Sequence, residues 1–193
     1  GLQAGGKPEL LNLSAPEVVR DTHAAYVESG ADIITTNTFG ASRHKLGCDP
    51  APYIEAAVRL AREAGASLTA LDIGPLGAML QPMGEMPFEL ACDLFAEQVE
   101  AGVRAGADLI LVETMSDLLE CKAAVLAAKE HSNLPVFATM TFGADGRTFL
   151  GTEPRTAAVT LTALGVDAVG INCSLGPREL LPMVREMVRC THL

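Results

Sequence analysis

Gly106-Ala107-Asp108-Leu109-Ile110-Leu111-Val112-Glu113-Thr114 joins the end of a helical pattern to an apolar run and then to a carboxylate. Glycine just past a helix takes the left-handed conformation at little cost, and the branched apolar residues after it favour a strand. The phrase recurs as Gly30-Ala31-Asp32-Ile33-Ile34 and as Gly165-Val166-Asp167-Ala168-Val169, so each copy reads as a helix stop fused to a strand start. Two more apolar runs, Leu68 to Ile73 and Leu134 to Phe142, fall between the copies. The five strands, at about residues 32–38, 68–73, 107–113, 135–141 and 167–173, begin about 27 to 40 residues apart, the size of a strand-helix unit.

The helices between them carry their own signals. Ser14-Ala15-Pro16-Glu17 reads as a capping box with an early proline and predicts a helix over 15–29, with Val18, Thr22, Ala25 and Tyr26 on its inner face. Further helices are predicted over 52–64, over 87–105 with Ala91, Phe95, Val99 and Gly102 facing inward, over 116–130 behind Ser116, and over 177–189. Thr152-Glu153-Pro154 is a similar start signal. Every strand is followed by a helix and no hairpin signal appears, so the sheet should be parallel.

Two parallel architectures fit, the open doubly wound sheet and the closed eight-unit barrel. The first strand is not followed by a Gly-x-Gly-x-x-Gly phosphate loop, which favours the barrel. Five strands fall short of eight, and a closed barrel needs roughly 250 residues. The expectation is therefore an α/β chain forming an incomplete (β/α)8 TIM barrel, one domain over residues 1–193, with the first strand and the last two absent. Unpaired sheet edges should make these residues, taken alone, marginally stable or prone to aggregate.

Composition narrows the function classes. No apolar stretch approaches the roughly 20 residues of a membrane helix. The net charge of -10 is spread along the helices, whereas a nucleic-acid surface needs clustered basic residues. The cysteines at 48, 92, 121, 173 and 190 show no paired spacing, and no basic, apolar leader opens the chain. These features fit a soluble protein of a reducing cytoplasm that binds neither nucleic acid nor membrane.

Strand tips hold the candidate chemistry, because in parallel α/β folds they converge on one face. They offer Asn37 and Thr38, Asp72 and Gly74, Glu113 and Thr114, Thr139 and Thr141, and Asn172 and Cys173. A carboxylate directly after the buried run Leu109 to Val112 needs a partner, which a backbone N–H, a lysine or a substrate ammonium could supply at Glu113. A thiol at 173 is placed for chemistry or is an inert buried group. Asn37 and Asn172 either orient a ligand or stabilise turns. None of His23, His44, His131 and His192 shows metal-ligand spacing.

Thr36-Asn37-Thr38-Phe39-Gly40, Ile73-Gly74-Pro75, Ala107 to Thr114 and Gly170-Ile171-Asn172-Cys173-Ser174 together resemble the homocysteine S-methyltransferase family. The similarity is strongest to the homocysteine-binding domain of its cobalamin-dependent methionine synthases and covers essentially the whole chain. It implies a (β/α)8 barrel that holds Zn²⁺ through three cysteines, the first in a Gly-x-Asn-Cys segment and the others adjacent in a Gly-Gly-Cys-Cys segment. By this resemblance Cys173 is the first ligand, Glu113 holds the homocysteine amino group, and Asn37 and Asn172 orient substrate or ligand. The family's Asp-Gly strand before Gly1 and its Cys-Cys pair are not in the chain, and Thr35 stands where many members have glutamate.

The resemblance also implies a methyl donor, methylcobalamin charged by methyltetrahydrofolate, and partner modules that bind cobalamin and folate in cis or trans. Betaine and S-methylmethionine are the alternative donors. With one of three thiolates, residues 1–193 alone are expected to be inactive. Two other readings share the fold. One is an aldolase or phosphate-binding isomerase using Glu113 as base, against which no lysine falls at a strand tip. The other is a truncated, non-catalytic paralogue.

Overall fold

The computed structural model describes residues 2 and 5–193. A 3-10 turn (Pro8–Leu10) and α1 (Leu11–Ser14) lead into α2 (Pro16–Glu28). There follow β1 (Ile33–Thr35), α3 (Arg43–Leu46), α4 (Ala51–Glu63), β2 (Leu68–Ile73), α5 (Phe88–Ala105), β3 (Leu109–Met115), α6 (Leu118–His131), β4 (Val136–Met140), α7 (Pro154–Ala163), β5 (Ala168–Ile171) and α8 (Pro177–Val188). All five strands are parallel, and their order across the sheet is their order in the chain.

Sequential order has a geometric consequence. Right-handed crossovers between neighbouring parallel strands all fall on the same side, so the helices cover one face of the sheet, as in an arc of a barrel, whereas a doubly wound sheet reverses its order. Helices adjacent in sequence pack together accordingly, α4 on α5, α5 on α6 and α7 on α8. Strand alternation and register assign Ile34, Leu71, Ile73, Ile110, Val112 and Met140 to the helix side, where all are buried. The opposite side carries Asp72, Leu111, Phe137, Thr139 and Gly170, most of them half-buried, and leads at its tips to Asn37, Glu113 and Asn172.

The recurring Gly-x-Asp phrase is explained by two contacts. Gly30, Gly106 and Gly165 have φ of 94°, 89° and 79°, the left-handed stop that the phrase requires. Two of the three aspartates then tie neighbouring strands together through their side chains. Asp108 Oδ2 accepts from the backbone N–H of Thr69 at 2.8 Å, and Asp167 Oδ2 accepts from that of Val136 at 2.8 Å. That bond, with Lys129 at 3.2 Å, holds the Asp167 carboxyl below the usual range.

Several expectations need correction. Ser14 does not cap α2. It ends α1, where its hydroxyl donates to the Leu10 carbonyl at 2.9 Å, a backward bond that competes with capping, and the cap position is Ala15. Ser116 is likewise displaced as a cap by Asp117, whose carboxylate accepts from Leu119 N–H at 2.8 Å. The inner face of α2 is set by Val19 and His23, while Val18 and Tyr26 are 51% and 63% exposed beside the outer edge of β1. The short elements α1, α3 and the 3-10 turn have no periodic signature. α3 is held by Ser42 Oγ, which accepts from Lys45 N–H at 3.2 Å, and by Gly47 at φ 77°.

The helix-side core depends on close approach at Gly102, as its inward placement on α5 suggested. A Cβ there would lie 2.5 Å from a Leu71 methyl carbon, and Leu71 is itself fully buried. Gly102→Val should overpack this contact and destabilise the chain by about 1–3 kcal/mol, read as a lower urea midpoint with unchanged slope. A midpoint equal to wild type would show that α5 and β2 are less tightly apposed than the structure shows.

Candidate functional site

At the tips of β3, β4 and β5 one side chain makes most of the connections. Asn172 Oδ1 accepts from Thr114 N–H at 3.1 Å and from the Thr139 hydroxyl at 2.9 Å. Its Nδ2 donates to Thr114 Oγ1 at 2.8 Å and lies 3.6 Å from Cys173 Sγ. The backbone beside it is tied as well. Asn172 N–H donates to the Met140 carbonyl at 3.3 Å, and the Thr141 hydroxyl donates to the Asn172 carbonyl at 3.0 Å.

These bonds hold backbone in a conformation that the residues themselves disfavour. Among the described residues the non-glycine positive φ values are Thr114 at 60°, Cys173 at 60° and Ser174 at 54°. Each costs on the order of 1–3 kcal/mol and persists only where surrounding contacts over-determine it. Two further bonds serve that purpose: Ser174 Oγ donates to the Phe142 carbonyl, and Leu175 N–H donates to the Cys173 carbonyl at 2.7 Å. The turn leaves Cys173 exposed, with Thr114 Oγ1 3.5 Å from its sulfur. Of the other cysteines, Cys121 is buried in α6, its thiol pushed up by burial, and Cys48 is exposed in a turn.

Glu113, adjacent to Thr114, is half-buried and makes no hydrogen bond or ion pair among the described residues; burial raises its carboxyl above the usual range. Asn37 is differently employed. Its Nδ2 donates to the Pro8 carbonyl at 2.8 Å and to Asn12 Oδ1 at 2.9 Å, while Asn12 Nδ2 returns a bond to the Asn37 carbonyl at 2.9 Å. Only Asn37 Oδ1 is left for another partner. The structure thus brings Asn172 and Cys173 together with the Glu113–Thr114 tip and puts Asn37 on the same face toward the β1 edge of the sheet, where Asp72 of β2 borders a cavity of about 450 Å³ between α2 and β1.

Two groups near this face carried no role in the sequence reading. Thr114 is tied to Asn172 through both its N–H and its hydroxyl. Lys45 on α3 is half-buried with its Nζ 5.2 Å from the Phe39 ring centroid, and burial lowers its pKa. Neither had a local signal. No group of three or more His, Cys, Asp or Glu side chains among the described residues could hold a metal ion, so Cys173 stands as a single candidate ligand.

A singly wound parallel α/β domain with a strained, exposed thiol at its strand tips belongs to the class of folds whose chemistry sits at the carboxyl ends of the strands. The family described as Homocysteine S-methyltransferase matches residues 3–193, and the chain belongs to that family. Methionine synthase of Mycobacterium leprae is 34% identical over 200 residues, which is 94% of this chain and 16% of that protein. Methionine synthase of Mycobacterium tuberculosis is 35% identical over 202 residues, 95% of this chain and 17% of that protein. The chain therefore spans about a sixth of the length of these relatives.

Among solved structures, the metallated form of the homocysteine methyltransferase MmuM from Escherichia coli superposes with a TM-score of 0.81 at 23% identity, covering 94% of this chain and 71% of that one. Its apo form gives 0.77 at 22% identity, covering 97% and 73%. At these identities the likeness bears on the fold. No helix is long and apolar enough to cross a membrane among the described residues.

Replacing the Asn172 amide should expose its role. Asn172→Asp keeps the acceptor, loses the donor to Thr114 Oγ1 and adds a negative charge beside the sulfur, so alkylation of Cys173 by iodoacetamide at pH 7.5 should slow several-fold. Peptide mapping after timed alkylation checks this. An unchanged or faster rate would mean that Asn172 does not govern the thiol.

Proposed function

We propose that this chain belongs to the homocysteine-binding domain of a methyltransferase that makes methionine, with residues 1–193 a fragment of a single (β/α)8 barrel. The observation that carries the reading is the unpartnered Glu113 carboxylate next to the turn that presents Cys173. A half-buried carboxylate without a partner suits a ligand ammonium, which would restore the charge-assisted bond that the fold withholds.

In this reading Cys173 is one of the thiolate ligands of Zn²⁺. Its exposure and the positive φ that turns it outward suit a ligand, but the described residues do not amount to a complete zinc site. The remaining ligands come from polypeptide outside residues 1–193. The chemical need is plain, because a free thiol with a pKa of about 8.5 is only about 3% thiolate at pH 7. Zinc, when bound, supplies the charge that keeps the homocysteine sulfur deprotonated and nucleophilic at neutral pH.

The chain's own residues do the positioning. Glu113 holds the amino group, Asn172 locks the Thr114 end of β3 against the Cys173 turn, and Asn37 Oδ1 is free to orient substrate. Methylcobalamin, charged by methyltetrahydrofolate, is the donor favoured by similarity to the methionine synthases, and cobalamin- and folate-binding modules are the corresponding partners. The cytoplasm is the compartment that suits a reactive free thiol.

In the intact protein, Glu113→Gln should weaken homocysteine binding by about 1.5–3 kcal/mol while leaving zinc content intact. Calorimetry showing equal affinity would remove the ammonium assignment. Cys173→Ala should lose most of the bound zinc and methyl transfer together; full zinc occupancy in that variant would contradict the ligand assignment.

A further inference from the structure

Asp72, at the end of β2, is the carboxylate that the fold leaves least satisfied. It is 7% exposed, and among the described residues it is the only carboxylate with a buried oxygen, Oδ1, that no hydrogen bond reaches. Its backbone is firmly held: Asp72 N–H donates to Thr36 Oγ1 at 3.1 Å, and the Thr38 hydroxyl donates to the Asp72 carbonyl at 2.7 Å. A carboxylate kept for structure is normally partnered, and an orphaned one on fixed backbone points to a ligand.

The surroundings say which kind of ligand. The side chain borders the groove of about 450 Å³ between α2 and β1 that also reaches Asn37 and His23, while Glu113 lies on its β3 side, outside that groove. Register pairs Asp72 with Leu111, and Glu113 follows two residues further along β3, just past the last paired residues Ile73 and Val112, where β3 becomes irregular; its charge is near enough to raise the Asp72 carboxyl. Two carboxylates on adjacent strands, neither in an ion pair among the described residues, form a negative site suited to a compact cation with several N–H donors. The charged groups facing Asp72 are Glu113 on β3, Glu9 on the 3-10 turn and Lys45 on α3, with the neutral, buried His23 of α2 on the same cavity. Lys45 does not neutralise it, since no ion pair forms between them.

We infer that Asp72 and Glu113 together form a paired-carboxylate seat for the α-ammonium group of the amino-acid substrate. The inference rests on the reading of the chain as a homocysteine methyltransferase and adds a second recognition residue to it. Burial first, then the Glu113 and Glu9 charges, push the free Asp72 carboxyl up to about 8, against a smaller opposing effect of Lys45. The empty site therefore holds the Asp72 proton to a higher pH than an ordinary carboxylate would, and a cation beside it favours ionisation with loss of that proton to solvent. Binding should strengthen as pH rises toward that value.

The test uses the intact protein with L-methionine and its des-amino analogue 4-(methylthio)butanoate. Neither has a thiol, so any proton released comes from the protein. Calorimetry at pH 7 in two buffers of different ionisation enthalpy should show net proton release with L-methionine and none with the analogue. Asp72→Asn should bind L-methionine at least about 10-fold more weakly, release no proton, and bind the analogue within about 2-fold of wild type. No proton release from wild type overturns the inference. So does an Asp72→Asn variant that keeps its L-methionine affinity, loses both ligands equally or fails to melt cooperatively. If wild type binds neither compound, the methyltransferase reading falls as well; if it binds both equally, only the ammonium seat falls.

Discussion

The Asn172 side chain is the constraint on which the site depends. One amide reaches Thr114 through N–H and hydroxyl and Thr139 through its hydroxyl, joining the tips of β3, β4 and β5. Because Thr114 in β3 and Cys173 and Ser174 after β5 all sit at positive φ, the backbone at both tips would relax without such bonds. The strain has a readable purpose. An extended continuation of β5 would carry residue 173 along the strand direction, whereas the left-handed turn brings its sulfur to 3.5 Å from Thr114 Oγ1 and leaves it open to solvent.

The sheet beneath makes that arrangement possible. Sequential parallel strands put the helices on one face and leave the other to functional groups. Apolar residues buried on the helix side, with Leu71 against Gly102 among the tightest contacts, carry the stability. The opposite face can then hold Asp72 and Glu113 with raised carboxyl pKa values, each a local cost that the core offsets.

Fold and site were legible in the sequence to different depths. The Gly-x-Asp phrase marked three helix-to-strand joints because both halves are local, a left-handed glycine and a branched apolar run, while the strand-to-strand bonds of Asp108 and Asp167 needed the register to be known. Ser14 and Ser116 misled because a serine near a helix start is only one competitor for the cap: α1 claimed the first and Asp117 replaced the second. The α2 pattern was amphipathic as read, yet Val18 and Tyr26 line an open groove, since periodicity finds an apolar stripe and not what covers it. Glu113 and Cys173 stood out as polar groups ending apolar runs. The part played by Asn172, the φ of Thr114 and the isolation of Asp72 arise from contacts between residues distant in sequence, and no local pattern encodes them.

X-ray absorption at the zinc edge of the intact protein, with and without homocysteine, tests the central claim most directly. If the Cys173 turn presents a ligand at a substrate-sulfur site, the resting metal should show sulfur at about 2.3 Å, and homocysteine should add one further sulfur to that shell. A first shell without sulfur, or one that homocysteine leaves unchanged, would contradict the account.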